Sequence, residues 1–134
     1  MVLPNGLALA YLGDALYELE VRKYLLTKKL TKVNDLHQQA IRFTSATGQA
    51  KVMLKLLDGI LNEIEIEQFK RGRNATANRK PKNTDLATYH QSTGFEALLG
   101  YLYLENQWDR LAEIIQMSIQ VIEENNNEVL NISL

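Results

Sequence analysis

No cysteine occurs anywhere in the 134 residues, which excludes disulfides, zinc–thiolate sites and thiol nucleophiles. Proline is limited to Pro4 and Pro81, and glycine to seven positions, so few residues interrupt a helix. No run of 18 apolar residues exists, so no membrane-spanning helix is expected. The N-terminus has no basic flank leading into a long apolar core; no signal peptide is expected, and the chain is assigned to the cytoplasm. Strand signals are too weak to support a sheet. The expected class is therefore all-α, one domain over residues 1–134 with a flexible tail from about 125 to 134.

Acid and base are nearly balanced, at a net charge of −1, but they are not evenly spread. Between Lys70 and Lys82 the bases Lys70, Arg71, Arg73, Arg79, Lys80 and Lys82 occur without one acid. From Glu96 onward, seven acids face a single base, Arg110. Such asymmetry can hold a polyanion on one face.

Periodicity predicts a helix over 7–26 with Asn5 as its N-cap, and another over about 35–43 capped by Asn34. Thr44-Ser45 interrupts, with Ser45 capping a third helix to about Leu57; Asp58-Gly59 marks a turn. Asn62 caps a fourth helix toward Arg71, followed by a loop over Gly72 to Asn83, long enough to be functional. A helix from Thr84-Asp85 to about Asn106 and an amphipathic helix over 108–124 complete the order.

Two acids stand where acids are not expected. The stretch Leu7–Tyr17 carries one charge, Asp14, and Ser92–Leu104 carries one charge, Glu96. Both stretches are apolar nearly all round, the pattern of central helices. A buried, unpaired carboxylate costs several kcal/mol, so each acid needs a partner. Small residues flank both: Gly13 and Ala15 beside Asp14, and Gly94, Ala97 and Gly100 near Glu96. Two facing acids suit a hard cation such as Mg²⁺, which takes one or two carboxylates, waters and substrate phosphate. The alternative is that each acid meets a buried Arg or Lys, or caps a helix. Glu18, one turn after Asp14, is expected to pair with Arg22 on the helix surface.

Tyr11-Leu-Gly-Asp-Ala-Leu-Tyr-Glu18 resembles the signature of the ribonuclease III family, and Phe95-Glu-Ala-Leu-Leu-Gly-Tyr-Leu-Tyr-Leu104 resembles its second acidic motif. Lys70-Arg-Gly-Arg-Asn74, Pro81-Lys-Asn-Thr-Asp85 and Ser92-Thr-Gly-Phe-Glu96 are similar to the Mini-ribonuclease III group, which has the catalytic domain without a double-stranded-RNA-binding domain. The resemblance covers about residues 5–124. It implies the helical ribonuclease III endonuclease fold, a homodimer, and Asp14 and Glu96 as catalytic, Mg²⁺-binding acids. Tyr11 matches an aromatic that inserts into the partner subunit. Full-length relatives carry two further acids at the positions of Ala10 and Thr93, a departure the Mini group shares; the Thr93 hydroxyl is left to orient a water on the metal.

The implied activity is Mg²⁺-dependent cleavage of double-stranded RNA with staggered cuts, in maturation of 23S ribosomal RNA precursor ends with a ribosomal protein presenting the substrate. Lys70, Arg71, Arg73, Asn74, Arg79, Lys80 and Lys82 form the expected phosphate clamp, salt-sensitive and blind to sequence. A second reading is a catalytically inactive relative that binds RNA or the ribosome, favoured by the acids missing at Ala10 and Thr93.

Overall fold

The computed structural model describes residues 2–75 and 84–133, and the side chains of these as far as Glu124. Six helices follow in order: α1 (Gly6–Thr27), α2 (Val33–Thr44), α3 (Ala46–Leu56), α4 (Glu63–Asn74), α5 (Leu86–Leu104) and α6 (Trp108–Ser133). No strand occurs among the described residues. The all-α expectation holds.

Most helix starts have a side-chain oxygen meeting an orphan N–H, as the sequence signals require. Asn5 accepts from the Ala8 N–H at 2.9 Å, Ser45 from Gly48 at 3.1 Å, and Asp85 from Thr88 at 2.8 Å. Asn62 and Glu65 form a reciprocal capping box. Asn34 does not cap α2. That helix begins two residues earlier, after Lys32, which offers no side-chain cap; the apolar stripe of Leu36, Ala40 and Phe43 fixes the helix instead.

Two helices outrun their expected ends. The α4 helix continues to Asn74 because Gly72 lies against Thr93, Gly94 and Ala97 of α5, so packing holds the turn where a glycine alone suggests a stop. The α6 backbone stays helical to Ser133, past Glu124 where a frayed tail was expected.

Helix α5 is the axis of the domain. Apart from Glu96, every residue from Ser92 to Leu102 is buried, enclosed by α1, α3, α4 and α6. Phe95 meets the α1 ring of Tyr17 edge to face, with centroids 4.9 Å apart. Burying each such side chain contributes about 1.5–3 kcal/mol. Polar clamps tie α6 to the rest. Arg110 donates to both Glu65 oxygens at 2.8 Å and to the Ile60 carbonyl, while Glu123 receives Tyr24, Lys28 and Arg42. Burial pushes the Glu65 carboxyl up, but Arg110 and the Asn62 N–H more than offset this and hold it below the usual range.

The α1 helix is different. Leu9, Tyr17 and Val21 are fully buried, yet its opposite side leaves Tyr11 85%, Leu26 60% and Leu19 54% exposed. The sequence pattern of a central helix is met on one side only.

Candidate active site

The site forms where α1 and α5 cross with backbones almost touching. A Cβ at Gly13 would lie 1.7 Å from the Glu96 carbonyl oxygen, and one at Gly100 would lie 2.1 Å from that of Leu9. Backbone atoms cannot absorb such overlap, so glycine is required at both positions. Gly13 facing Glu96 and Leu9 facing Gly100 also set the two helices antiparallel, bringing Asp14, the next residue after Gly13, beside Glu96.

The two acids do meet. The Glu96 carboxyl is within hydrogen-bonding contact of Asp14, and its pKa is pushed up to about 8 by burial first and by the Asp14 charge second. Two carboxyls this close cannot both remain ionised without help; they share a proton or hold a cation. The expectation of a wholly interior pair needs correction, however. Glu96 is half-buried, but Asp14 is exposed, because it sits at the edge of the open face of α1, one turn from Tyr11 and beside Ala15. The oily surroundings belong to one acid.

A third polar side chain reaches this pair from α3. Gln49 is 2% exposed; its Nε2 donates to the Thr44 carbonyl at 3.2 Å and to Glu96 Oε2 at 3.4 Å. Its Oε1 is buried with no hydrogen-bond partner among the described residues. Burying an amide half-satisfied costs about 1–3 kcal/mol relative to a fully paired one. Sequence reasoning missed Gln49. The signal was present: it occupies the apolar stripe of α3, at three, four and seven residues before the buried Val52, Met53 and Leu56.

The positions of the missing family acids are buried. Ala10 is 6% and Thr93 4% exposed, and the Thr93 hydroxyl donates to the Tyr89 carbonyl of its own helix at 3.0 Å. Glu18 pairs with Arg22 at 2.9 Å, as the i,i+4 spacing predicts. Tyr11 stands on the open face of α1.

The basic residues divide. Arg79, Lys80 and Lys82 lie outside the described residues. Arg71, Arg73 and Asn74 occupy the last turn of α4, with Lys70 just before it, and Gly72 of that turn rests on Thr93, Gly94 and Ala97 of α5, on either side of Glu96. Lys70 is exposed. Arg73 lies over the Phe69 ring and donates to Asn74. Arg71 is half-buried, donating to the Pro4 carbonyl and to Gln68 at 2.9 Å each, so it fastens the N-terminal segment to α4.

Two carboxylates offer hard oxygen donors, and their forced proximity is an arrangement a hard divalent cation would relieve. Among the described residues no third His, Cys, Asp or Glu joins them. Among the described residues the chain thus gathers two carboxylates at this place.

Comparison with known proteins follows the same motifs. Residues 7–107 match the ribonuclease III domain family. The chain is 45% identical to the Mini-ribonuclease 3 of Streptococcus pneumoniae, over 89% of this chain and 94% of that one. It is 47% identical to that of Enterococcus faecalis, over 92% and 95%, and 50% identical to that of Symbiobacterium thermophilum, over 87% and 89%. A crystal structure of a Fusobacterium nucleatum protein superposes with a TM-score of 0.76 at 30% identity, covering 87% of this chain and 92% of the other.

Proposed function

Since the chain belongs to the ribonuclease III family, in its Mini-ribonuclease 3 group, we propose that it is an endoribonuclease that cuts double-stranded RNA as a homodimer, with Asp14 and Glu96 as its catalytic, Mg²⁺-binding acids. The observation that carries this reading is the contact between the two carboxyls, one sheltered and one facing solvent.

A bound Mg²⁺ supplies Lewis acidity at the phosphate and a water nucleophile at neutral pH. Burial and Asp14 raise the pKa of the Glu96 carboxyl to about 8, and Asp14 and Glu96 would together hold the cation, which would favour the ionised form of both. Asp14, exposed at the helix edge, leaves room for an RNA phosphate to approach. Water adds to phosphorus, the bond to the 3′ oxygen breaks and that oxygen takes a proton, leaving a 5′ phosphate and a 3′ hydroxyl. The Thr93 hydroxyl oxygen, its proton directed to Tyr89, keeps lone pairs that can accept from a water.

Lys70, Arg73 and Asn74, with Arg79, Lys80 and Lys82 from the following segment, hold the RNA backbone; Arg71 contributes through the N–H groups left over from Pro4 and Gln68. Their contacts are to phosphate and sugar, so affinity falls with salt and depends little on sequence. The open apolar face of α1, which carries Tyr11, packs on a second copy. Two sites related by a two-fold axis then cut both strands, and the offset between sites sets the stagger. The proposed substrate is the 23S ribosomal RNA precursor, trimmed in the bacterial cytoplasm with a ribosomal protein presenting it, as the resemblance to this group implies.

The test is cleavage of labelled duplex RNA in Mg²⁺ by the native chain, Asp14→Asn and Glu96→Gln. Each variant is expected to lose at least about a thousand-fold in rate, several kcal/mol of metal-borne stabilisation, while still sedimenting as a dimer and shifting RNA. Cutting by either variant at near-native rate would overturn the assignment.

A further inference from the structure

We propose that Gln49 is a positioning residue for the metal site, its side-chain amide holding one oxygen of Glu96 so that the carboxylate meets Asp14 and a divalent cation in a fixed orientation. This rests on the reading of Asp14 and Glu96 as cation ligands.

The argument begins with burial. At 2% exposure on α3, Gln49 occupies a place in the apolar stripe that a leucine or methionine would fill with no polar group to desolvate. Its amide is oriented by its partners. Both groups facing Nε2, the Thr44 carbonyl and Glu96 Oε2, are acceptors, so the nitrogen must point toward the acid and the oxygen away from it. The Thr44 carbonyl belongs to the helix break that Ser45 caps, and it fixes the amide from behind. The Oε1 atom has no partner among the described residues. The amide is therefore half-satisfied, its nitrogen shared between the Thr44 carbonyl and Glu96.

Positioning matters here because, among the described residues, two protein acids are gathered. Glu96 sits on a rigid, enclosed helix, but its side chain has three rotatable bonds, and Asp14 lies at an exposed edge. A fixed donor on one oxygen removes rotational freedom from the carboxylate before the cation arrives. Such supporting contacts commonly change metal affinity by ten-fold or more.

The experiment compares the native dimer with Gln49→Met, which keeps the volume and removes the amide. Mn²⁺ binding to the RNA-free protein is followed by electron paramagnetic resonance of the free ion, and duplex cutting is measured across Mg²⁺ concentration. Gln49→Met is expected to weaken Mn²⁺ binding about ten-fold and to raise the Mg²⁺ concentration for half-maximal cutting by a similar factor. The plateau rate at saturating Mg²⁺ is expected to fall by less than about three-fold. Melting in EDTA checks that the fold survives. Should the Met variant not fold, Gln49→Asn, with its amide one methylene short of Glu96, is expected to give the same shift. A foldable variant that binds Mn²⁺ and responds to Mg²⁺ like the native protein overturns the role of Gln49 alone. A native protein that neither binds Mn²⁺ nor cuts in Mg²⁺ overturns the metal reading beneath it.

Discussion

Helices α1 and α5 look alike as sequences and differ as structures. The stretches Leu7–Tyr17 of α1 and Ser92–Leu104 of α5 are each apolar nearly all round, and each carries a lone acid among small residues. In the folded chain α5 is surrounded, and its apolar residues are buried from Phe95 to Leu102. The α1 helix is buried along one side, from Gly6 and Leu9 through Gly13, Tyr17 and Val21 to Leu25, and its other side presents Tyr11, Leu19 and Leu26 to solvent. An apolar circumference in the sequence therefore does not by itself mean burial on every side of the helix in the single chain. The same difference separates the two acids: Glu96 on the enclosed helix is desolvated, and Asp14 on the open one is not.

The comparison can be broken most forcefully at two tyrosines of α1. Tyr17 is fully buried against Phe95, so Tyr17→Ala is expected to destabilise the fold by about 3–5 kcal/mol in urea unfolding. Tyr11→Ala should leave the fold of the single chain almost unchanged, within about 0.5 kcal/mol. Equal losses from the two would mean that the faces of α1 are not distinct. Next in size, Gly13→Ala places a methyl against the Glu96 carbonyl oxygen. It is expected to cost about 3 kcal/mol and to lower cutting as the helices separate. Ala15→Gly, the reverse change on the exposed side, should cost about 1 kcal/mol or less from helix propensity.

Tyr11→Ala carries a second expectation. If the open face packs on a second copy, sedimentation equilibrium should show dimerisation weakened about 30-fold, roughly 2 kcal/mol for a central aromatic anchor. A dimer of native affinity in this variant would remove Tyr11 from the interface.

The smallest expected effect is a pH dependence. Burial and Asp14 raise the folded pKa of Glu96 to about 8, above the 4.5 of an exposed glutamate. The folded, metal-free state keeps a proton that the unfolded chain releases, so its stability falls as pH rises through the window from 4.5 to 8. Native protein in EDTA should melt lower at pH 8 than at pH 5.5 relative to Glu96→Gln, which has no proton to release. A parallel pair of profiles would show that Glu96 is ionised without strain beside Asp14.

Much of this architecture was legible in the chain. Asn5, Ser45, Asn62 and Asp85 announced helix starts because a cap depends on neighbours three residues away. Asn34 misled because its cap competes with packing: the stripe of Leu36, Ala40 and Phe43 wins. The stop at Gly72 failed for a similar reason, as contact with α5 outweighs a glycine's weak local preference. Arg71 was legible as a base but not as the anchor of the Pro4 carbonyl, which lies 67 residues away in the chain.

Composition, capping residues and apolar periodicity fixed an all-helical chain with two unusual acids and a cluster of bases, since each of these is a local property. The tertiary structure decided which side of α1 is left open, how deeply each acid is buried, and that Gln49 reaches Glu96 from a third helix. Those outcomes depend on which backbones can approach one another. The close approaches at Gly13 and Gly100 join segments more than eighty residues apart, a relation no local pattern contains.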